Sequence, residues 1–528
     1  MPTDDTRFSW HPEPVLLDYG DASARPALEA LGRDAWATAL DYLYDHAFVR
    51  AMGQPATYGD LRRAFFGETG GPSSAPREPS ASAALLEEFR SRLAPHQLSA
   101  HHPRSLSYFT PPPLLMSVVG ELLAQVTQQG VDVWHAGPSA AFVEEEVVRW
   151  LCDLVGYGPG SFGLLTSGGV MANFLAMALA RDNRLAALRG LDRAPRGRDL
   201  EGVRVYTSDQ THFSIGRALD ELGFPSDTLV VVATDERFRL HAAPVATVIA
   251  RDRAAGLVPL AISAVAGSTN TGSVDMIEDL AALAGGEGMW FHIDAAYGAA
   301  ARLSARDAHR VPALEQADSV TVDPHKWFYQ AYDIGGLVVR EGSLLEATFG
   351  GRRPEYYRGG EGPAGQAPGG TDTESGGHDE PGQLNFYKLG FEGTRRWRAL
   401  KLWMSWKHVG TEGFGRLVAA NIDQAALLAR RCRASEDFEV LPAEPELSVV
   451  CFRHLPGGPD AARGLEPEHL DAHQDRLQAA LEASGDGWLS TTRLQGRTWL
   501  RAGIVNTHTT EGDIDALLAI IRGLAAAL

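Results

Sequence analysis

The chain has 528 residues, 44% of them hydrophobic, and a net charge of −19. That length suits about three domains or subdomains at ~150 residues each, and the acidic balance opposes nucleic acid or an anionic membrane surface as a partner. No apolar run approaches the ~20 residues a spanning helix needs.

The N-terminus, Met-Pro-Thr-Asp-Asp-Thr-Arg, lacks the basic and apolar regions of a secretory signal. The three cysteines, Cys152, Cys432 and Cys451, are widely spaced without CxxC. They read as reduced thiols, so a cytoplasmic location is expected. Residues 1–110 are expected to form an N-terminal helical segment. Trp36, Leu40, Leu43, Tyr44 and Phe48 recur at helical spacing, and Gly67 to Ser82 is a Gly/Pro/Ser-rich loop. His102-Pro-Arg-Ser-Leu-Ser-Tyr-Phe-Thr110 follows, then three prolines that forbid a helix. Tyr108, Phe109 and Thr110 are pocket candidates, with ordinary core as the competing reading for the two aromatics. His101 and His102 have no further ligand spacing, so no metal site is expected.

Glu144, Val147, Val148, Leu151 and Leu154 fit an amphipathic helix. Next, Gly163-Leu-Leu-Thr-Ser-Gly-Gly-Val-Met-Ala-Asn173 joins a short apolar strand to a helix. Glycines there allow close backbone approach, and the helix start adds free N–H groups and a favourable dipole, which together can cradle a phosphate. A second strand runs through Val203-Arg-Val-Tyr into Ser208-Asp-Gln-Thr-His212. A third, Pro259 to Ala266, ends in Gly267-Ser-Thr-Asn-Thr-Gly272. Met289-Trp-Phe-His-Ile-Asp294 delivers a carboxylate to a strand end, where it needs a partner. Ser319-Val-Thr-Val-Asp-Pro-His-Lys-Trp-Phe328 delivers Lys326 in the same way, with Pro324 stopping the ladder. A lysine desolvated among Trp327, Phe328 and Tyr329 can act as a neutral amine. Strands are expected around 164, 205, 231, 263, 291, 321 and 338. Helical patterns between most of them argue for parallel βα units, and the missing helix before the last strand argues for an antiparallel pair there.

Residues 350–383 carry four Gly-Gly pairs with prolines and polar residues between, and cannot build a core. Asn385-Phe-Tyr-Lys388 follows, then Thr394-Arg-Arg-Trp-Arg398 opening a long helix. Strands at Leu447–Phe452 and Thr498–Gly503 and a closing helix from Asp513 give an α/β end to the chain.

His-Ile-Asp-Ala-Ala-Tyr at 292–297 and Asp-Pro-His-Lys-Trp at 323–327 resemble the pyridoxal-phosphate (PLP) group II decarboxylases, which include aromatic amino acid and glutamate decarboxylases. The His-Pro-x-x-x-x-Tyr-Phe stretch, the Ser-Gly-Gly turn, Ser-Asp-x-x-His-x-Ser and Arg-Arg-x-x-Ala-Leu-Lys extend the resemblance over roughly 95–520. It implies fold type I, an α/β architecture with a mostly parallel seven-stranded sheet. Domains are expected at 1–110 (helical), 111–400 (large, PLP-binding, with 350–383 as a flexible loop) and 401–528 (small). The resemblance implies pyridoxal 5'-phosphate held by Lys326 as a Schiff base and Asp294 at the ring nitrogen. Ala296, Asp323, His325 and Thr269 lie near the cofactor, and Ser167, Gly168, Gly169 and Val170 at its phosphate. His212 stacks on the ring and is catalytic with Lys326, while Tyr108, Phe109 and Thr110 line the substrate pocket. A homodimer with active sites at its interface is also implied. The expected reaction is decarboxylation of an L-amino acid, an aromatic one being compatible with the pocket. The family's loop tyrosine, which returns a proton to the substrate carbon, aligns on Phe386, with Tyr387 one residue off. In relatives a Phe there accompanies oxygen-dependent aldehyde formation, so that product stays open, as does a PLP-binding scaffold without turnover.

Overall fold

The computed structural model describes residues 8–68, 71, 74–351 and 383–528. The expected loop at 350–383 therefore lies almost wholly outside the described residues. Two compact units are found, residues 1–108 with 430–439 and 452–528, and residues 109–429 with 440–451.

The larger unit is built on seven strands: β1 (Phe162–Thr166), β2 (Val203–Ser208), β3 (Leu229–Val232), β4 (Val258–Val265), β5 (Trp290–Asp294), β6 (Ser319–Val322) and β7 (Gly335–Val339). They match the strand positions read from the sequence. Their order is β1-β7-β6-β5-β4-β2-β3. The neighbours from β6 to β3 pair in parallel. β7 is antiparallel to both β6 and β1. Residues 323–334 hold no regular helix to make a crossover, so the chain reverses into β7. Two reversals cancel, and β1 runs in the same sense as β6. The carboxyl ends of β1, β2, β4, β5 and β6 thus share one edge of the sheet.

β1, β5, β6 and β7 are buried at every position. This is why they read as continuous apolar runs without alternation. The helix Pro138–Val155 packs beside β1, opens on a proline at its first position and ends at Gly156 (φ 93°), both favourable termini. The long helix Ala399–Arg433 is broken at Gly410 (φ 73°, ψ 159°), a conformation open to glycine.

In the smaller unit the helix Arg25–Asp41 continues as a wide turn to Ala47. The stripe expected to be its core face is partly bare: Trp36 is 48% and Tyr44 67% exposed. A second sheet has the order β10-β11-β9-β8, with β8 at Phe438–Val440, β9 at Val449–His454, β10 at Ser490–Leu494 and β11 at Arg497–Gly503. Gln495 and Gly496 both have positive φ (51° and 75°), as a two-residue hairpin between twisted strands requires. Among the described residues no helix is long and apolar enough to cross a membrane. The three cysteines are buried.

Candidate active site

β6 ends at Val322, and the chain turns at once: the Lys326 amide donates to the Asp323 carbonyl (2.9 Å) and that of His325 to Ile334 (3.2 Å). The aromatic residues after Lys326 anchor this turn rather than line it. Trp327, Phe328 and Tyr329 are all buried, and the Trp327 indole N–H and Tyr329 hydroxyl both donate to Asn421 Oδ1 (3.0 and 2.8 Å). Lys326 is left partly open, its Nζ 3.2 Å from Asp323 Oδ2. Asp323 is 2% exposed, and its Oδ1 has no hydrogen-bond partner among the described residues. A buried carboxylate oxygen without a donor is costly.

One strand over, Asp294 closes β5. Its Oδ1 accepts from the Ala296 amide (3.1 Å) and its Oδ2 from Asn173 Nδ2 (2.8 Å). Asn173 sits on the helix Gly169–Leu179, which follows β1. It also donates to Ser214 Oγ (2.8 Å), and its Oδ1 accepts from Thr321 (2.6 Å) and faces His292 Nε2 (3.0 Å). Ser214 Oγ lies 2.8 Å from His212 Nδ1. Burial pushes the His212 imidazole below its usual range, against the opposing pull of Asp294; Lys326 lowers it further and Asp323 raises it. His212 therefore sits in the field of all three charged groups brought by β5 and β6. His325 is likewise lowered by burial, opposed by Asp323, and its Nδ1 accepts from the Ile334 amide (3.3 Å).

The turn after β1 completes the edge. Ser167 and Val170 are exposed, while Gly168 and Gly169 run against the β6 turn. A Cβ at Gly168 would lie 3.2 Å from His325 Cε1, and one at Gly169 would lie 2.8 Å from Asp323 Oδ2. Only glycine fits this approach. It sets the start of an 11-residue helix, whose first N–H groups have no partner within the helix, against the turn that carries Lys326. An anion cradle, an amine and a buried carboxylate on one edge fit a phosphorylated pyridine aldehyde: amine for the aldehyde, Asp294 for the ring nitrogen, cradle for the phosphate.

The remaining expected residues fall in varied places. Thr269 is exposed on the loop after β4. Ala296 is buried beside Asp294. Phe109 is buried and stacks on Tyr297 (4.0 Å between ring centroids), which stacks on Trp327 (4.8 Å). Thr110 Oγ1 lies 2.9 Å from the Tyr332 hydroxyl. Tyr108 is 61% exposed, its ring edge-on to Trp488. Phe386 is 1% exposed, 6.2 Å from the Phe162 ring at the start of β1 and under the Arg395 guanidinium. The Tyr387 amide donates to the Asp132 carbonyl (3.1 Å). Sequence reading missed Asn173, Ser214, Thr321 and His292. The available signal was Asn173 itself, a polar side chain inside an otherwise apolar helix, which needs a built partner.

A fold with this edge and this cradle defines a PLP enzyme of fold type I. The pyridoxal-dependent decarboxylase conserved domain matches residues 68–363 and 377–455. An aromatic-L-amino-acid decarboxylase of Bacillus atrophaeus is 33% identical over 429 residues, covering 80% of this chain and 81% of the relative. An L-2,4-diaminobutyrate decarboxylase of Acinetobacter baumannii is 28% identical over 434 residues, covering 80% of each. The solved glutamate decarboxylase domain of a Vibrio parahaemolyticus diaminobutyrate-pyruvate transaminase and L-2,4-diaminobutyrate decarboxylase superposes with a TM-score of 0.79 at 26% identity, over 95% of this chain and 96% of that one. The chain belongs to the group II pyridoxal-phosphate-dependent decarboxylase family. It is an amino acid carboxy-lyase whose cofactor is pyridoxal 5'-phosphate.

Proposed function

We propose that the chain decarboxylates an L-amino acid at its α-carbon to the primary amine and carbon dioxide, with Lys326 as the residue that carries the cofactor. The observation that carries the reading is the convergence of Lys326, Asp294 and His212 beside the Gly168–Gly169 turn. When bound, the cofactor supplies an electron sink for the bond broken at the α-carbon. Asp294, held by Asn173 and the Ala296 amide, is a fixed acceptor for a ring N–H. His212 stacks on the ring and orients the substrate carboxylate. Ser167, Gly168, Gly169 and Val170 bind phosphate through backbone N–H groups. Asp323 holds Lys326 Nζ through its Oδ2. His325, Ala296 and Thr269 complete the surround. The carboxylate leaves as carbon dioxide and a proton replaces it on the same carbon, so no oxidant is consumed.

An aromatic substrate is proposed, as for the aromatic-L-amino-acid decarboxylase relative; Phe109, Tyr297 and Trp327 stack as buried core beside the site rather than facing the substrate. Tyr108 and Thr110 are the pocket residues proposed. Tyr387 is proposed as the proton donor. Phe386, the residue that raised oxidative aldehyde formation, is packed beneath β1 and touches no open space, which favours the amine product. A homodimer is proposed, supported by the bare apolar stripe Leu115, Val118, Leu122 and Val126 on the helix Leu115–Thr127.

Wild type should absorb in the visible, and borohydride should fix the cofactor on the peptide containing Lys326; Lys326→Ala should do neither. Twenty amino acids assayed for carbon dioxide, amine and peroxide should yield amine and carbon dioxide in equal amounts. Peroxide at the expense of amine would select the aldehyde reaction, and a coloured protein without turnover would select the scaffold.

A further inference from the structure

The polar groups around Asn173 can be assigned hydrogen by hydrogen. The Trp290 indole N–H can only donate, and it lies 3.0 Å from Ser319 Oγ. Ser319 Oγ keeps one hydrogen and one lone pair and lies 2.9 Å from His292 Nδ1, so the direction of that bond is set from the Asn173 end. His292 is wholly buried and held neutral by that burial; its Nε2 lies 3.0 Å from Asn173 Oδ1, and an amide oxygen can only accept, so the proton is on Nε2 and Ser319 donates to Nδ1. Thr321 donates to the same oxygen. At the other end Asp294 is a carboxylate and can only accept. Turning the Asn173 amide over would set its oxygen against that carboxylate and its NH₂ against two donors. Both amide hydrogens are thus committed, one to Asp294 and one to Ser214 Oγ.

Ser214 is fully buried and has one hydrogen left. Among the described residues the acceptor within reach is His212 Nδ1, at 2.8 Å. Were His212 to donate from Nδ1 instead, the serine hydrogen would be buried without an acceptor, an uncompensated loss.

We propose that Ser214, oriented by Asn173, is a positioning residue that locks His212 in its Nε2–H form, and that the substrate carboxylate is therefore held by a neutral donor. This rests on the reading of His212 as the carboxylate-orienting group. A neutral donor orients the departing group without the extra ground-state attraction of an imidazolium, and only interactions stronger in the transition state speed the reaction. One continuous chain, Asp294–Asn173–Ser214–His212, then couples the carboxylate of β5 to the imidazole after β2.

The test uses the holoenzyme labelled with ¹⁵N-histidine, with His212 assigned by the signal lost in His212→Gln. Wild type should show His212 protonated at Nε2 and accepting at Nδ1. Ser214→Ala should release this into exchanging forms and lower kcat by about 10–100-fold, the cost typical of removing the partner that orients a metal-ligating histidine, with cofactor content and visible band retained. Ser214→Thr should restore both the signal and most of kcat. Adding Ser214→Ala to His212→Ala should cost nothing further. An unaltered His212 signal in Ser214→Ala, or a loss that persists in the His212→Ala background, overturns the proposal. Failure of the underlying reading looks different: His212→Ala would keep full activity, whatever Ser214 does.

Discussion

Glu144 and Arg395 form a buried ion pair behind the phosphate turn, and Glu144→Gln tests what it holds in place. Their side chains are 0% and 1% exposed, with Arg395 Nη2 2.5 Å from Glu144 Oε1. Both grip β1: Glu144 Oε1 accepts from the Leu165 amide (3.2 Å) and Arg395 Nη2 donates to the Leu165 carbonyl (2.6 Å). Arg395 Nη1 also donates to the Val131 carbonyl (3.1 Å). Glutamine keeps an oxygen for the Leu165 amide but removes the nearer, buried counter-charge, leaving Glu392 Oε2 at 3.9 Å from Arg395 Nε. A guanidinium cannot shed its proton, so the buried charge stays. At an effective dielectric near 20, charges ~4 Å apart attract by about 4 kcal/mol. Breaking a buried pair from one side costs about 3–5 kcal/mol. We expect Glu144→Gln to lose that much, read as a lower urea midpoint at unchanged slope. Because Leu165 stands two residues before Ser167, cofactor retention should fall with it. Replacing both partners by Met should cost less than the single change, since no charge is then stranded. A midpoint for Glu144→Gln equal to that of wild type would refute the reasoning.

Gly169→Ala places a Cβ 2.8 Å from Asp323 Oδ2 and 3.4 Å from Ala296 Cβ, with Asp323 too buried to yield. Overpacking of about 1–3 kcal/mol should weaken cofactor binding ~5–150-fold by equilibrium titration, whereas Gly158→Ala, with open space around it, should bind as wild type does. His292 is lowered by burial from 6.5 to about 4. Its folded pKa lies below the unfolded one, so the unfolded chain binds more protons between pH 6.5 and 4, and stability falls as pH drops through that window. The full effect approaches about 3 kcal/mol. His292→Gln should flatten this part of the urea midpoint against pH, and an unchanged slope would contradict the assignment.

Much of this edge was legible because its signals are local. Asp294 and Lys326 each follow an apolar run that can only be a buried strand, and a strand end is where chemistry sits in such sheets. The helix starting at Gly169 was legible for the same reason, from two glycines ahead of an apolar stripe. Asn173 was not, since its partners come from β5, β6 and the segment after β2, and nothing in the spacing of positions 173, 214, 292 and 321 brings them together. The aromatic trio after Lys326 was read as desolvating the amine. The structure turns all three into the core and gives the lysine a carboxylate, because Asn421, far along the chain, offers the acceptor that Trp327 and Tyr329 need. Phe386 shows the opposite case, where a motif match set a residue in a loop and burial set it beneath β1. The most instructive element is β7, which carries no chemical group at the site. Its two antiparallel pairings put β1 next to the β6 turn, although the two are far apart in sequence. Its first residue, Gly335, passes so near Gly168 that a Cβ would lie 2.4 Å from the Gly168 Cα and 2.6 Å from Asp323 Oδ1. The distance between phosphate turn and lysine is therefore set by a bare stretch of backbone, and a methyl group on that strand would separate cradle from amine without touching either.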